Sequence, residues 1–166
     1  ARQIAHRLAT PLNAIAAYQD AIQCAIWDRD VEAVREELAS LRALSPRGAA
    51  VQLHVDGATA AIEALSGETA AARSRYLAVT EGFRTLRLRA QAAFTAVDMA
   101  FVLDPAEPEV AAEIARGRAT FMELRATPFV ALLDRLVVEA PARAGGTERA
   151  RSGTRAGSAS EAGTTS

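Results

Sequence analysis

Hydrophobic residues recur at intervals of three and four positions over most of this chain, which is the period of an α-helix. Seven such segments follow one another up to about residue 140. Clusters of turn-forming residues separate them, most clearly at Ser45-Pro46-Arg47-Gly48, at Ser66-Gly67 and from Asp104 to Pro108. Two Thr-Pro pairs, at 10–11 and 127–128, are typical of helix starts, because threonine can cap the first turn and proline fits its first position. The pattern predicts an all-α fold.

The predicted helices fall into pairs with a regular spacing. The tight links within the pairs lie at Asp28, Gly67 and Glu107, at intervals of 39 and 40 residues. A fixed spacing of this size is typical of helical solenoids, in which each pair buries its apolar stripe only by stacking on its neighbours. We therefore expect three stacked helix pairs and a C-terminal capping helix. Their predicted bounds are about 11–44, 48–86, 88–126 and 128–139.

Two short stretches resemble the tetratricopeptide repeat. Gly67-x4-Ala72-x3-Tyr76 is similar to the second helix of that repeat, in which a glycine opens the turn and a small residue lets two helices approach. The segment from Asp28 to Arg35 is similar to the "G-D-x-E-A" start of the same helix, with Asp28 in place of the glycine. The Trp-Leu-Gly-Tyr signature of the first helix is missing. The resemblance implies a right-handed solenoid of antiparallel helix pairs over residues 1–140.

A second resemblance is to the C-terminal end of large bacterial signalling proteins. These proteins carry an ATPase module and a long helical array, behind a nucleotide cyclase domain in some members, while others have a LuxR-type DNA-binding domain. They close with an "A-R-x-x-F-x-x-L-x-A-x-P" run, and the matching residues here are Ala115, Arg116, Phe121, Leu124, Ala126 and Pro128. This chain has two extra residues after Arg116 and none of the ATPase, cyclase or DNA-binding motifs. The resemblance implies a non-catalytic protein-interaction or regulatory scaffold, the C-terminal part of a larger cytoplasmic protein.

An alternative function comes from the segment that runs from His6 to Ile15. It resembles the phosphoacceptor box of histidine kinases, H-E-L-R-T-P-L-N-A-I, at eight of ten positions. In that reading His6 would accept a phosphoryl group in a histidine phosphotransfer domain. A neighbouring carboxylate should hold the second imidazole nitrogen, and Arg7 stands at that position. No glycine-rich lid of an ATP-binding domain follows in the chain.

Composition and charge narrow the other candidate chemistry. The basic residues are all arginine and the formal net charge is −1, so a nucleic-acid partner is not expected. No run of eighteen apolar residues occurs, so no membrane span is predicted. Cys24 is the single cysteine and is expected to be an unreactive core residue. His54 is expected to be partly buried. With two distant histidines and no phosphate-loop or nucleophile motif, we expect no metal, no cofactor and no enzyme activity.

Composition changes after Ala140. Residues 141–166 contain no Leu, Ile, Val, Met or aromatic residue, and they carry four arginines and two glutamates. Such a segment cannot bury enough apolar surface to offset its ordering entropy. The sequence therefore predicts a helical domain over 1–140 and a disordered tail over 141–166.

A candidate binding surface follows from the predicted repeat. In a solenoid of helix pairs, the first helix of each pair lines the concave side. Next to the apolar stripes of these helices lie polar or aromatic residues that would face a groove, or would be no more than an ordinary solvated surface. The candidate groove residues are Asp20, Asp56, Glu63, Phe94 and Asp98. We expect an acidic groove that binds a basic peptide, another protein or another domain of the same chain.

Overall fold

The computed structural model describes residues 11–140, and seven α-helices account for most of this range. We number them in chain order. Their bounds are α1 Pro11–Trp27, α2 Val31–Ala43, α3 Ala49–Leu65, α4 Thr69–Thr85, α5 Arg89–Val102, α6 Pro108–Glu123 and α7 over 127–140. The all-α prediction is confirmed for these residues. The predicted disorder of 141–166 falls outside the described residues.

Local side-chain chemistry explains several helix starts. Asp30 precedes α2, and its carboxylate accepts a hydrogen bond from the backbone N–H of Ala33 at 3.0 Å. This bond satisfies one of the donors that the first turn of a helix leaves free. Pro108 occupies the first turn of α6, where its fixed φ fits and its missing N–H is not needed. The starts of α2 and α6 were therefore readable from sequence.

Four helices end in the same backbone turn. The second residue after the end of each helix has a positive φ, and the N–H of the residue that follows it donates to the carbonyl five positions back, as from Leu88 to Phe83 at 2.8 Å. This arrangement is the Schellman motif. Glycine adopts this left-handed conformation without strain, but arginine occupies it in three of the four turns. The positions are Arg29 (57°), Gly67 (94°), Arg87 (58°) and Arg125 (56°).

One continuous core runs through all seven helices. Consecutive helices from α1 to α6 pack on each other, and α1, α3 and α5 also contact one another. The first helices of the three predicted pairs therefore meet in the middle of the fold. One buried core residue from each helix, in chain order, is Ile22, Val34, Val55, Tyr76, Val97, Val110 and Leu133.

One predicted core position is wrong, and one further apolar residue lies outside the core. Cys24 is exposed, because α1 buries Ile22, Ala25 and Ile26 and the helical period turns Cys24 away from that face. Val137 is 44% exposed, because α7 packs through Leu133 and Leu136 and turns Val137 outward.

Helices α5 and α6 approach closely where both carry small residues. A Cβ atom on Gly117 would lie 2.8 Å from the Cβ of Ala96 and 3.3 Å from the carbonyl oxygen of Ala93. Both atoms belong to rigid parts of α5, so only glycine fits at this position without moving a helix.

Among residues 11–140, no helix combines the length and the apolarity that crossing a bilayer requires.

Candidate binding pocket between helices α1, α3 and α5

A pocket of about 300 Å³, which we call the central pocket, lies where α1, α3 and α5 meet. Its apolar lining includes Ile22 of α1, Leu53 of α3 and Phe94 of α5, and α4 contributes Val79 and Phe83. Polar side chains from the same three helices complete the wall. They are Gln19, Asp20, Gln23, His54, Gln91, Thr95 and Asp98. The mixture of an apolar wall with a few polar groups is typical of ligand sites.

Asp98 is held in place from across the pocket. Its Oδ1 accepts a hydrogen bond from Nε1 of Trp27 at 2.8 Å and one from Nε2 of Gln23 at 3.4 Å. The Trp27 ring stacks on Phe101, with 5.6 Å between the ring centroids. Both donors lie on α1 and reach the same carboxylate oxygen. No donor from residues 11–140 reaches the second oxygen, Oδ2, so this oxygen can accept from a ligand.

Burial raises the pKa of Asp98 from 3.8 to about 7, and the hydrogen bonds from Trp27 and Gln23 only partly oppose this shift. Among the described residues no arginine lines the central pocket, and the chain contains no lysine. A charged Asp98 therefore lies in a pocket that offers it hydrogen-bond donors but no cationic side chain. Such a carboxylate attracts a cation that enters the pocket from outside.

His54 is the imidazole of the central pocket. It is partly buried, as predicted, and meets the ring of Phe83 edge to face at 5.1 Å. Burial lowers its pKa, and the negative charge of Asp20 partly opposes that effect. The imidazole is therefore neutral near pH 7 and supplies no positive charge to the pocket.

Phe94 is fixed by rings from the two following helices. It packs edge to face against Phe121 of α6 at 5.3 Å and against Phe129 of α7 at 4.8 Å. This three-ring cluster holds the aromatic wall of the pocket in one position. The last two helices thus support the site without lining it.

Three of the five predicted groove residues come together in the central pocket: Asp20, Phe94 and Asp98. The other two do not line it. Asp56 accepts a hydrogen bond from Gln52 at 3.0 Å and borders a separate depression between α3 and α4. Glu63 forms an ion pair with Arg75 of α4 at 2.7 Å. Both carboxylates lie on the side of α3 that meets α4, whereas Gly57 and His54 face the pocket.

Two groups that build the site, one beside the pocket and one in its wall, were not singled out for this surface by the sequence. Trp27, which holds Asp98, is the single tryptophan of the chain and ends α1. The presence of one tryptophan in the whole sequence was the signal that could have drawn attention to this residue. His54 was noticed only as a structural histidine. The bond that gives Trp27 its role spans 71 residues and could not be read from local pattern.

Other candidate chemistry can be placed only in part. His6 lies outside the described residues, so the phosphotransfer alternative stays a prediction. Within 11–140, no cluster of three or more His, Cys, Asp or Glu side chains has a geometry that could hold a metal ion. Comparisons of the chain with protein-family models, with curated proteins and with solved structures find no match.

Proposed function

We propose that this chain is a non-catalytic scaffold that binds a basic segment of another protein, or of its own parent protein, on the face formed by α1, α3 and α5. The observation that carries the proposal is the central pocket. It places the carboxylates of Asp20 and Asp98 beside an apolar wall, and no arginine of residues 11–140 lines it. A cationic ligand would give these carboxylates a counter-charge.

The proposal includes the finer architecture, a tetratricopeptide-like right-handed solenoid of antiparallel helix pairs closed by α7. Two observations support it. The links within the helix pairs recur at similar intervals, and α1, α3 and α5 contact one another. In an open solenoid each pair touches only its neighbours, so the contact of α1 with α5 implies a strongly curved stack. Small-angle X-ray scattering on the full chain tests this. A curved monomer is expected, and a compact two-fold dimer would contradict it.

The biological setting that we propose is a cytoplasmic signalling protein of which this chain is the C-terminal part. Its support is the resemblance of the segment from Ala115 to Pro128 to the closing run of such proteins. In that setting the helical array would couple a bound partner to domains elsewhere in the protein. Rigid helices suit this role because they hold a binding surface in fixed geometry.

The binding proposal can be tested with a displayed library of random peptides selected against the full chain. Enriched peptides should be basic, and their affinity should fall as salt concentration rises, because charge attraction contributes to binding. The variants Asp20→Arg and Asp98→Asn should each weaken binding, by about tenfold for the second. Circular dichroism establishes that each variant is folded.

Glu139→Arg is the matched control for Asp20→Arg. Glu139 is an exposed carboxylate on α7, far along the chain from the pocket, and the substitution makes the same change in charge. We expect the control to bind like the wild type. Enrichment of peptides without basic residues, or equal affinity of Asp20→Arg and Glu139→Arg, would contradict the proposal.

A further inference from the structure

We propose that the central pocket takes a single arginine side chain of the partner, with its guanidinium against Oδ2 of Asp98 and beside the ring of Phe94. The inference rests on the proposed function, and it names the group that the binding face recognises. It differs from general attraction between a basic peptide and an acidic surface, because it requires one cation in one defined position.

The orientation of the Asp98 carboxylate favours a ligand that donates hydrogen bonds. Trp27 and Gln23 both donate to Oδ1, so the carboxylate has a fixed direction before any ligand arrives. Oδ2 keeps its capacity to accept. A preoriented acceptor with a vacant oxygen lowers the cost of binding, since little side-chain freedom remains to be lost. The arrangement suits a donor that approaches from the pocket.

Asp98 has no permanent cation beside it among residues 11–140. The titratable groups around it in this range are Asp20 and His54, which line the pocket, and Tyr76 of α4, whose pKa is raised by burial and by the charge of Asp98. Burial holds a share of Asp98 in the protonated form near neutral pH, which is the response of a carboxyl group without a counter-ion. An entering cation stabilises the ionised form. Binding should therefore release a proton from Asp98 at pH values near or below 7.

The chemistry of the pocket favours a guanidinium over an ammonium ion. A guanidinium is planar, more weakly hydrated than an ammonium ion, and carries five N–H donors in a fixed fork. The pocket offers it a carboxylate, the polar side chains of Gln91 and Thr95, and the fixed aromatic wall of Phe94. An arginine cation beside an aromatic face also gains cation–π attraction. An ammonium ion would lose more hydration on entering the same site.

The size of the pocket limits what can enter. A volume of about 300 Å³ lies at the lower end of the range for small-molecule sites, so it fits one long side chain and not a folded segment. The rest of the partner must lie across the rim, where Asp20 is exposed. The pocket would therefore select one position of a basic sequence.

The experiment compares short capped peptides, Gly-Ala-Arg-Ala-Gly and the same peptide with citrulline or lysine at the centre. Citrulline keeps the shape of arginine but has no charge. Trp27, the single tryptophan, donates to the same carboxylate and so reports binding by its fluorescence, with calorimetry as a second readout on the full chain. We expect the arginine peptide to bind at least about tenfold more tightly than the citrulline peptide. Lysine should give an intermediate affinity.

Three variants test the position of the site. Asp98→Asn should weaken the arginine peptide by about tenfold, while Asp56→Asn, the same change on α3 outside the pocket, should leave its affinity unchanged. Gly57→Leu fills the pocket without altering charge and should also abolish binding. A Cβ at Gly57 meets no heavy atom closer than 3.9 Å, so a side chain can start there without a clash. Melting curves establish that each variant is folded.

The pH dependence gives a readout that a purely structural role of Asp98 would not move. Affinity for the arginine peptide should rise as pH increases through about 7 in the wild type and should stay level in Asp98→Asn. Equal affinity for the arginine and citrulline peptides would overturn the inference, and so would equal affinity of Asp98→Asn and Asp56→Asn. If library-selected basic peptides still need Asp20 in that case, the scaffold proposal stands and only the arginine assignment fails.

Discussion

Trp27 and Asp98 join the first helix of the fold to the fifth, through a hydrogen bond of 2.8 Å from the indole Nε1 to the carboxylate Oδ1. The Trp27 ring also stacks on Phe101, and the guanidinium of Arg29 donates to the Phe101 carbonyl. These contacts bring α1 against α5, beyond the nearest-neighbour packing of an open helical array. They also fix the carboxylate on which the proposed binding site depends.

The raised pKa of Asp98 predicts how stability changes with pH. The pKa in the folded state is about 7 against 3.8 for the free side chain, so between these values the folded protein binds more protons than the unfolded chain. The free energy of unfolding should therefore fall as pH rises across this window, by up to about 1.4 kcal/mol per pH unit. Above about pH 7 this contribution levels off.

Asp98→Asn is the variant for this measurement, because asparagine can still accept from Trp27 but does not titrate. Urea unfolding followed by circular dichroism at a series of pH values should show the wild type losing stability relative to the variant up to about pH 7. His54 has a lowered pKa and contributes to both proteins, so its effect cancels in the difference. Parallel pH curves would contradict the account of Asp98.

The buried ion pairs of Glu113 should contribute much more to the free energy of unfolding than an exposed ion pair does. Its side chain is 3% exposed and interacts with Arg84 of α4, at 3.3 Å from Nη1 to Oε1, and with Arg116 one turn along α6. Glu113→Ala leaves two arginines without their shared carboxylate, so the free energy of unfolding should fall by about 1–3 kcal/mol.

Glu123→Ala is the control for that loss, because Glu123 pairs with Arg89 on the surface and both side chains are mostly exposed. It should cost less than about 1 kcal/mol, since solvent screens such a pair. Chemical unfolding of the two variants side by side measures the contrast. Equal losses would show that burial of Glu113 has no energetic weight.

Two glycines on helices should respond in opposite directions to the same substitution. Gly117→Ala forces a methyl group to within 2.8 Å of Ala96 and should lower the free energy of unfolding by about 1–3 kcal/mol. Gly57→Ala has space for the methyl group and gains helix propensity, so this variant should raise the free energy of unfolding by roughly 0.5–1 kcal/mol. Thermal melts of both variants decide the matter. A stabilised Gly117→Ala protein would mean that α5 and α6 are not in close contact at this point.

The arginine at the left-handed end of α4 predicts a simple stabilising change. Arg87 has φ 58°, a conformation that costs any residue with a Cβ about 1–2 kcal/mol and costs glycine almost nothing. Arg87→Gly should therefore be more stable than Arg87→Ala by about 1 kcal/mol, since both remove the side chain and only one relieves the backbone. Denaturant midpoints that coincide for the two variants would show that this turn is not strained.

The helices could be predicted because their ends carry local chemistry. Asp30 caps α2 by accepting a hydrogen bond from the N–H of Ala33, and Gly67 supplies the left-handed turn after α3. Each signal lies within a few residues of the helix end that it marks. The substitution of arginine for glycine at three such turns did not hide them, because the hydrophobic period stops at the same positions. Local signals of this kind do not depend on the rest of the fold.

The pocket could be predicted only in part, because the rotation of a helix about its axis depends on tertiary packing. The concave-face argument placed Asp20, Phe94 and Asp98 together. It also included Glu63 on the same face, but Arg75 on the next helix holds that carboxylate on the opposite side of α3. An ion pair between helices overrode a periodicity argument made on one helix. Sequence spacing alone carries no information on such a partner.

Hydrogen–deuterium exchange of the full chain, with and without a library-selected basic peptide, tests the central claim most directly. The account predicts slower exchange in α1, α3 and α5 around the central pocket, with little change in α2 and α6. At an equal peptide concentration that half-saturates the wild type, the protection should be much weaker in Asp98→Asn. Protection confined to α2 and α6, or unchanged in the variant, would contradict the claim that this chain binds its partner through the face formed by α1, α3 and α5.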